Sequence, residues 1–279
     1  MPITPAVFLI QHKKMSKEVG DIMKYEVIDA HVHPFLPEIG RNIGKFGIPA
    51  TTAEFVEELR SNGVSRCCGS IICQAEKMDF QDIEDLNRAA LKMRDMYPDF
   101  YIPGIHVHGD YPEESIAMLK AFHGDGVRWI GEMVNYSMPI GRYNSPGMKK
   151  IAETAAALGM VMNLHVSTGD LPEVDDLMKS VPELKVVLAH PGDGADLDKR
   201  FEFIKAHGNL YIDISGTGLF RWGMLRHAVD MLGVEKIIYG SDFPVCSSGM
   251  NLYGTLSEHL TEDEFSAVLA GNFKKLIGA

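Results

Sequence analysis

From Glu26 onward the chain alternates between two hydrophobic rhythms. Short, nearly continuous apolar runs rich in Val and Ile are separated by longer stretches in which apolar residues recur with helical spacing, the signature of repeated βα units around a parallel sheet. The spacing predicts strands over Glu26–His33, Val64–Cys73, Phe100–His106, Val127–Met133, Met160–Val166, Lys185–His190, Leu210–Ser215 and Ile237–Asp242. The near absence of alternation within them fits strands covered by helices on one side and by a barrel interior on the other. Helix starts are marked at Thr51-Thr52-Ala53-Glu54, Asp110-Tyr111-Pro112-Glu113-Glu114 and Thr261-Glu262-Asp263-Glu264, where a polar cap precedes acidic residues in the first turn. Gly63, Gly159, Gly208 and Gly233 fall just after predicted helices, where a residue free to take positive φ is easiest to accommodate. The expected fold is α/β, a (β/α)8 barrel.

A chain of 279 residues with 46% hydrophobic content is long enough for one barrel, and no linker, charge block or low-complexity tract divides it. We read residues 25–279 as a single barrel domain and 1–24 as an N-terminal extension with a short helix around Ser16 to Met23. The formal net charge of -11 argues against a broad basic surface for nucleic acid or anionic membranes. The apolar segment Ala6 to Ile10 is too short to span a bilayer and lacks signal-peptide flanks. Cys67, Cys68, Cys73 and Cys246 lack paired metal-finger spacing and read as reduced thiols of a cytoplasmic protein.

The chemistry concentrates where barrel enzymes place it, at the carboxyl ends of the strands. The first predicted strand ends Ile28-Asp29-Ala30-His31-Val32-His33, and residues two apart on a strand share a face, so both imidazoles can reach one ion. The fourth strand ends in Gly131-Glu132, the fifth in His165, the sixth in His190 and the eighth in Ser241-Asp242. Imidazole with carboxylate suits zinc, manganese or iron better than the all-oxygen preference of calcium or magnesium. A further pair, His106 and His108 after the third strand, either lines the pocket or has a structural or ligand-supporting role, and we favour the latter. Asp213 on the seventh strand either faces the barrel or serves as a buried hydrogen-bonding group.

Asp29-Ala30-His31-Val32-His33-Pro34, His165, Ala189-His190-Pro191-Gly192, Tyr239-Gly240-Ser241-Asp242-Phe243-Pro244 and the closing Leu269-Ala270-Gly271-Asn272-Phe273 together resemble the amidohydrolase superfamily, and most closely its amidohydrolase-2 branch. The resemblance implies a distorted TIM barrel with a divalent metal, commonly zinc, held by His31, His33, His165 and Asp242. It gives His190 a role in polarising substrate or in acid/base work, or as a ligand where two ions are present. Glu132 departs from the branch's usual fourth strand and, with His106 and His108, looks like the TatD-type nucleases and hydrolases. A second ion held by Glu132 and His190 is therefore open, as is a role for Glu132 as hydrogen-bond acceptor for a ligand.

The expected activity is metal-dependent hydrolysis of an amide, ester or lactone-like bond, with Asp242 as base and His190 beside it. The same branch resembles non-oxidative decarboxylases of the aminocarboxymuconate-semialdehyde type, and a TatD-like phosphoesterase or nuclease is a third reading. Arg142, Arg221 and Trp222, with Arg41 and Tyr143, lie in loops at the catalytic end; an arginine there could clamp a small anionic substrate. The expected partners are a small molecule and, from the family likeness, a second copy in a homodimer.

Overall fold

The computed structural model describes residues 24–36, 47, 49–192, 194–217 and 221–279. The proposed N-terminal extension with its helix, and Arg41, lie outside the described residues. Eight parallel strands run in sequence order around the sheet: β1 (Ile28–Asp29), β2 (Arg66–Gly69), β3 (Tyr101–Ile105), β4 (Trp129–Met133), β5 (Val161–His165), β6 (Lys185–Ala189), β7 (Leu210–Asp213) and β8 (Ile237–Ile238). The seam between the first and last strands is closed past the regular ladder. Ala30 N–H donates to the Tyr239 carbonyl at 3.0 Å, His33 N–H to Phe243 at 2.8 Å, and Asp242 N–H to His31 at 2.8 Å. Val32 and Phe243 form a parallel bridge. The expected distorted (β/α)8 barrel is what the chain forms.

Helices α1 (Thr52–Ser61), α2 (Phe80–Met96), α3 (Pro112–Gly124), α4 (Pro146–Ala157), α5 (Leu171–Ser180), α6 (Gly194–Lys205) and α7 (Met224–Leu232) follow the first seven strands. After β8 come α8 (Ser248–Leu256), α9 (Glu262–Ser266) and α10 (Asn272–Ile277). The starts at Thr51 and Thr261 are as expected: each hydroxyl accepts from the N–H three residues on, and Glu264 returns the bond to Thr261. Asp110 does not cap α3, which begins at Pro112 after Tyr111; a proline at the first turn needs no partner for its nitrogen. Gly63, Gly159 and Gly233 take positive φ, whereas Gly208 does not.

Two apolar clusters hold these layers together. The larger lies between strands and helices, and includes Phe55, Leu86, Ile151, Leu177 and Phe201. The smaller joins Ile28, Cys68, Trp129, Val161, Val187 and Ile238 with Phe273 and Leu276. Side chains from six different strands meet only inside a barrel, so this cluster is its interior. Phe273 of α10 packs on Trp129 with centroids 5.3 Å apart, while Asn272 donates to the Val234 and Ile237 carbonyls. The C-terminal helix thereby plugs the end from which the strands start, and the opposite end is left for polar side chains. Among the described residues no helix is long and apolar enough to cross a membrane.

Candidate metal centre

The strands lose regular pairing as they reach their carboxyl ends, and the polar residues begin there. Asp29 accepts from the N–H groups of His31 and Ser241, which fixes β1 beside β8. His190 and Asp242 are the only non-glycine positions among the described residues with positive φ, at 63° and 66°. Left-handed backbone at a residue with a Cβ is costly and persists where the surroundings hold it. Both turns carry a side chain back over the barrel mouth.

Four imidazoles and two carboxylates converge there. His31 Nε2 and His33 Nε2 are 3.2 Å apart, and Asp242 Oδ1 lies 3.7 Å from the first and 3.2 Å from the second. Ligands of a tetrahedral ion with bonds of ~2.1 Å stand about 3.4 Å from one another, so this donor set fits one divalent ion. Glu132 occupies the middle of the site. Its Oε2 is 3.4 Å from His31 Nε2 and 3.3 Å from His33 Nε2; its Oε1 is 2.7 Å from His165 Nδ1 and 3.2 Å from His190 Nε2. Two ligand clusters result, His31–His33–Asp242 and His31–Glu132–His190. His165 belongs to neither and meets the group through Glu132.

The outer hydrogen bonds decide which nitrogen each ring presents. His33 donates its Nδ1–H to the Ser70 carbonyl at 3.1 Å, and His31 donates its own to Asp213 Oδ2 at 2.9 Å. The Ser215 hydroxyl donates to Asp213 Oδ1, so its oxygen accepts from His190 Nδ1–H at 2.9 Å. All three rings therefore turn an unprotonated Nε2 inward when neutral. Gly216 makes room for this: a Cβ there would lie 2.5 Å from His190 Nδ1 at a φ of +65°. Asp213 also accepts from Asn163 and from the His190 and Ser215 N–H groups.

Charge and burial oppose each other throughout. Burial favours the neutral form of His31, but Asp213 and Glu132 hold its pKa well above the usual range. Burial pushes the Glu132 carboxyl up, and His31, with hydrogen bonds from His165 and His190, outweighs it and holds the pKa well below. His33, despite burial, is raised from 6.5 to about 9 by Asp242 and Glu132. A raised imidazole pKa stabilises the folded chain fully below 6.5, and that contribution is lost as pH climbs toward 9. Protons also compete with metal for the same nitrogens. The metal-free protein is thus expected to melt at falling temperature from pH 6.5 to 9 while its metal affinity rises. Calorimetry and metal titration at both pH values check this, and flat profiles would contradict it.

Sequence reasoning placed His31, His33, Glu132, His165, His190 and Asp242 at the barrel mouth, and the structure brings them together. The three proposed substrate residues make no contact with these six side chains through a hydrogen bond, ion pair or ring. Arg142 is paired with Glu173 at 2.8 Å, Arg221 is exposed, and Trp222 is 79% exposed, edge-on to His259. Tyr143 is buried, its hydroxyl at 2.8 Å from the Met133 carbonyl and 2.5 Å from that of His165. His106, pushed down to about 4 by burial, lies against the Ile71 carbonyl, the supporting place favoured for it. Asp213, expected to face the barrel or to serve as a buried hydrogen-bonding group, is bonded to His31 and Ser215; Ser215 was the residue missed, and its two-residue spacing from Asp213 at a strand end was the available signal. Tyr136, 76% exposed and edge-on to His165 at 4.9 Å, carried none.

Comparison with known proteins names the scaffold. The family model described as amidohydrolase matches residues 28–278. The chain belongs to the amidohydrolase-2 family. Amidohydrolases of this family are enzymes of the barrel type just described, and a divalent metal is the expected cofactor. No sequence among the curated proteins matches this amidohydrolase. Among solved structures it is similar in fold to 2,6-dihydroxybenzoate decarboxylase from Rhizobium, with 14% identity over 91% of this chain and 99% of that one, TM-score 0.73. A Pseudomonas putida protein assigned as a 2-pyrone-4,6-dicarboxylic acid hydrolase shares 19% over 91% and 97%, TM-score 0.70. A Polaromonas dihydroxybenzoic acid decarboxylase with bound manganese and 2-nitroresorcinol shares 14% over 91% and 97%, TM-score 0.71. At such identities these matches speak for the fold.

Proposed function

We propose that this amidohydrolase cleaves an amide, ester or lactone bond of a small substrate, with two divalent ions held on either side of Glu132. The observation that carries this reading is the division of one buried carboxylate, Oε2 toward His31 and His33 and Oε1 toward His165 and His190. Sites with paired ions are built for attack by water on a carbonyl or phosphoryl group. His31, His33 and Asp242 would hold one ion, His165 Nδ1 and His190 Nε2 the other. When bound, divalent ions supply Lewis acidity and bring the pKa of coordinated water from ~15.7 toward ~7.

The chain's own residues do the rest. Asp242 turns Oδ1 to the two imidazoles, and its Oδ2 has the Cys246 thiol 3.9 Å away. Oδ2 takes the proton of the attacking water and passes it to the leaving group. Ser215 fixes His190 by its Nδ1, so Nε2 stays directed at the reacting centre. Tyr136, over the exposed edge of His165, offers a flat apolar surface where substrate enters.

Asp242→Asn is expected to lower kcat by about 10²–10⁴-fold, the usual reach of a positioned acid/base. The assay is a panel of aryl esters, lactones and amides, with protein loaded separately with zinc, manganese or cobalt, scored for hydrolysed product and for carbon dioxide. Metal-dependent release of carbon dioxide in place of hydrolysis would overturn the proposal in favour of a decarboxylase.

A further inference from the structure

Behind the mouth lies a cation that the catalytic scheme does not use. Arg200 of α6 is only 5% exposed, and among the described residues no carboxylate comes within ion-pair distance of it. Burying a guanidinium without a carboxylate is expensive unless its donors are satisfied. Its two terminal nitrogens have backbone carbonyls as partners, while Nε is buried without one among the described residues. One terminal nitrogen donates to His190 at 3.1 Å and to Ala189 at 3.4 Å, and the other donates to Val166. Val166 directly follows His165. The turn Pro191-Gly192 folds around the same group: Gly192 has φ +74°, and a Cβ there would stand 3.1 Å from Arg200 Nε. One planar fork thus ties the backbone at the ends of β5 and β6, where the two imidazoles facing Glu132 Oε1 originate.

We infer that Arg200 is a positioning residue that sets the spacing of His165 and His190 and so forms the second ion's half of the site. The inference rests on the two-ion reading. Arg200 touches neither His31 nor His33 through any hydrogen bond, so the first half should form without it. Lysine cannot replace it, since a single ammonium lacks the planar fork that reaches two strands at once.

Cobalt titration of the metal-free protein, followed by visible absorption and elemental analysis, tests this directly. Wild type is expected to bind two equivalents. Arg200→Lys should retain the first with affinity within about twofold and bind the second 10–100-fold more weakly, the usual effect of losing a group that orients ligands. In Arg200→Ala, millimolar guanidinium should restore the second band, and sodium chloride at equal concentration should not. Variants that titrate like wild type, that lose both ions together, or that keep the first ion but ignore guanidinium would each overturn the role of Arg200 while leaving two ions in place. A wild type that binds one equivalent would overturn the two-ion reading and this inference with it.

Discussion

Replacing Glu132 by Gln is expected to reduce the bound metal from two ions to one and to lower hydrolysis by roughly 10³-fold. The carboxylate makes close approaches to His31, His33, His165 and His190, and an amide of the same shape offers only one oxygen. Whichever way the amide turns, one imidazole pair meets an N–H donor where it had an anion. The steric match of Gln keeps packing intact, so the loss reports charge and ligation. Elemental analysis of purified variant and wild type, with turnover of the same ester panel, checks both halves. A variant that keeps both ions and most activity would make Glu132 an ordinary hydrogen-bond acceptor.

The second large effect belongs to Asp213, which touches no reacting group. Burial works to raise its carboxyl pKa, but the His31 charge and the hydrogen bond between them hold it well below the usual range. Asp213→Ala removes the partner of a buried imidazole and the acceptor of four further donors. Breaking a buried pair from one side costs about 3–5 kcal/mol, and loss of the group that orients a ligand weakens metal binding about 10–100-fold. Asp213→Asn retains an oxygen and should lose metal affinity with less of the stability. Thermal melts of metal-free protein and chelator competition separate the two quantities. A metal affinity unchanged in Asp213→Ala would show that His31 is held by its strand alone.

Much of this was legible in the order of residues. All eight strands exist where apolar runs predicted them, because buried parallel strands carry an unambiguous continuous pattern. Their ends did not match. The first was expected to reach His33 and the eighth Asp242, yet regular pairing stops at Asp29 and Ile238. The chain there stays near its neighbours through single bonds such as Val32 N–H to Cys68, and the left-handed turn at Asp242 diverts it from the ladder. Hydrophobic periodicity has no term for such a turn. His190 ends β6 one residue early for the same reason.

The metal-facing residues were legible as types at strand ends, and the division of labour among them was not. His165 read as an equal of His31 and His33, but its Nδ1 faces Glu132 Oε1 while the other rings present Nε2. That difference depends on which outer partner each ring finds, and the partners, Ser70, Asp213 and Ser215, come from other strands. Arg142 was expected as a substrate clamp by position, and its pairing with Glu173, 31 residues on, was not signalled by its spacing. Arg200 lay in a helix with ordinary charged neighbours, and nothing in its spacing signalled that it turns inward.

Anomalous diffraction at the absorption edge of the bound metal, on crystals grown without chelator, tests the central claim most directly. The account predicts two peaks flanking the Glu132 carboxylate, one beside His31, His33 and Asp242, the other beside His165 and His190. A single peak shared by His31, His33, His165 and Asp242, with Glu132 bound only to a histidine, would contradict it.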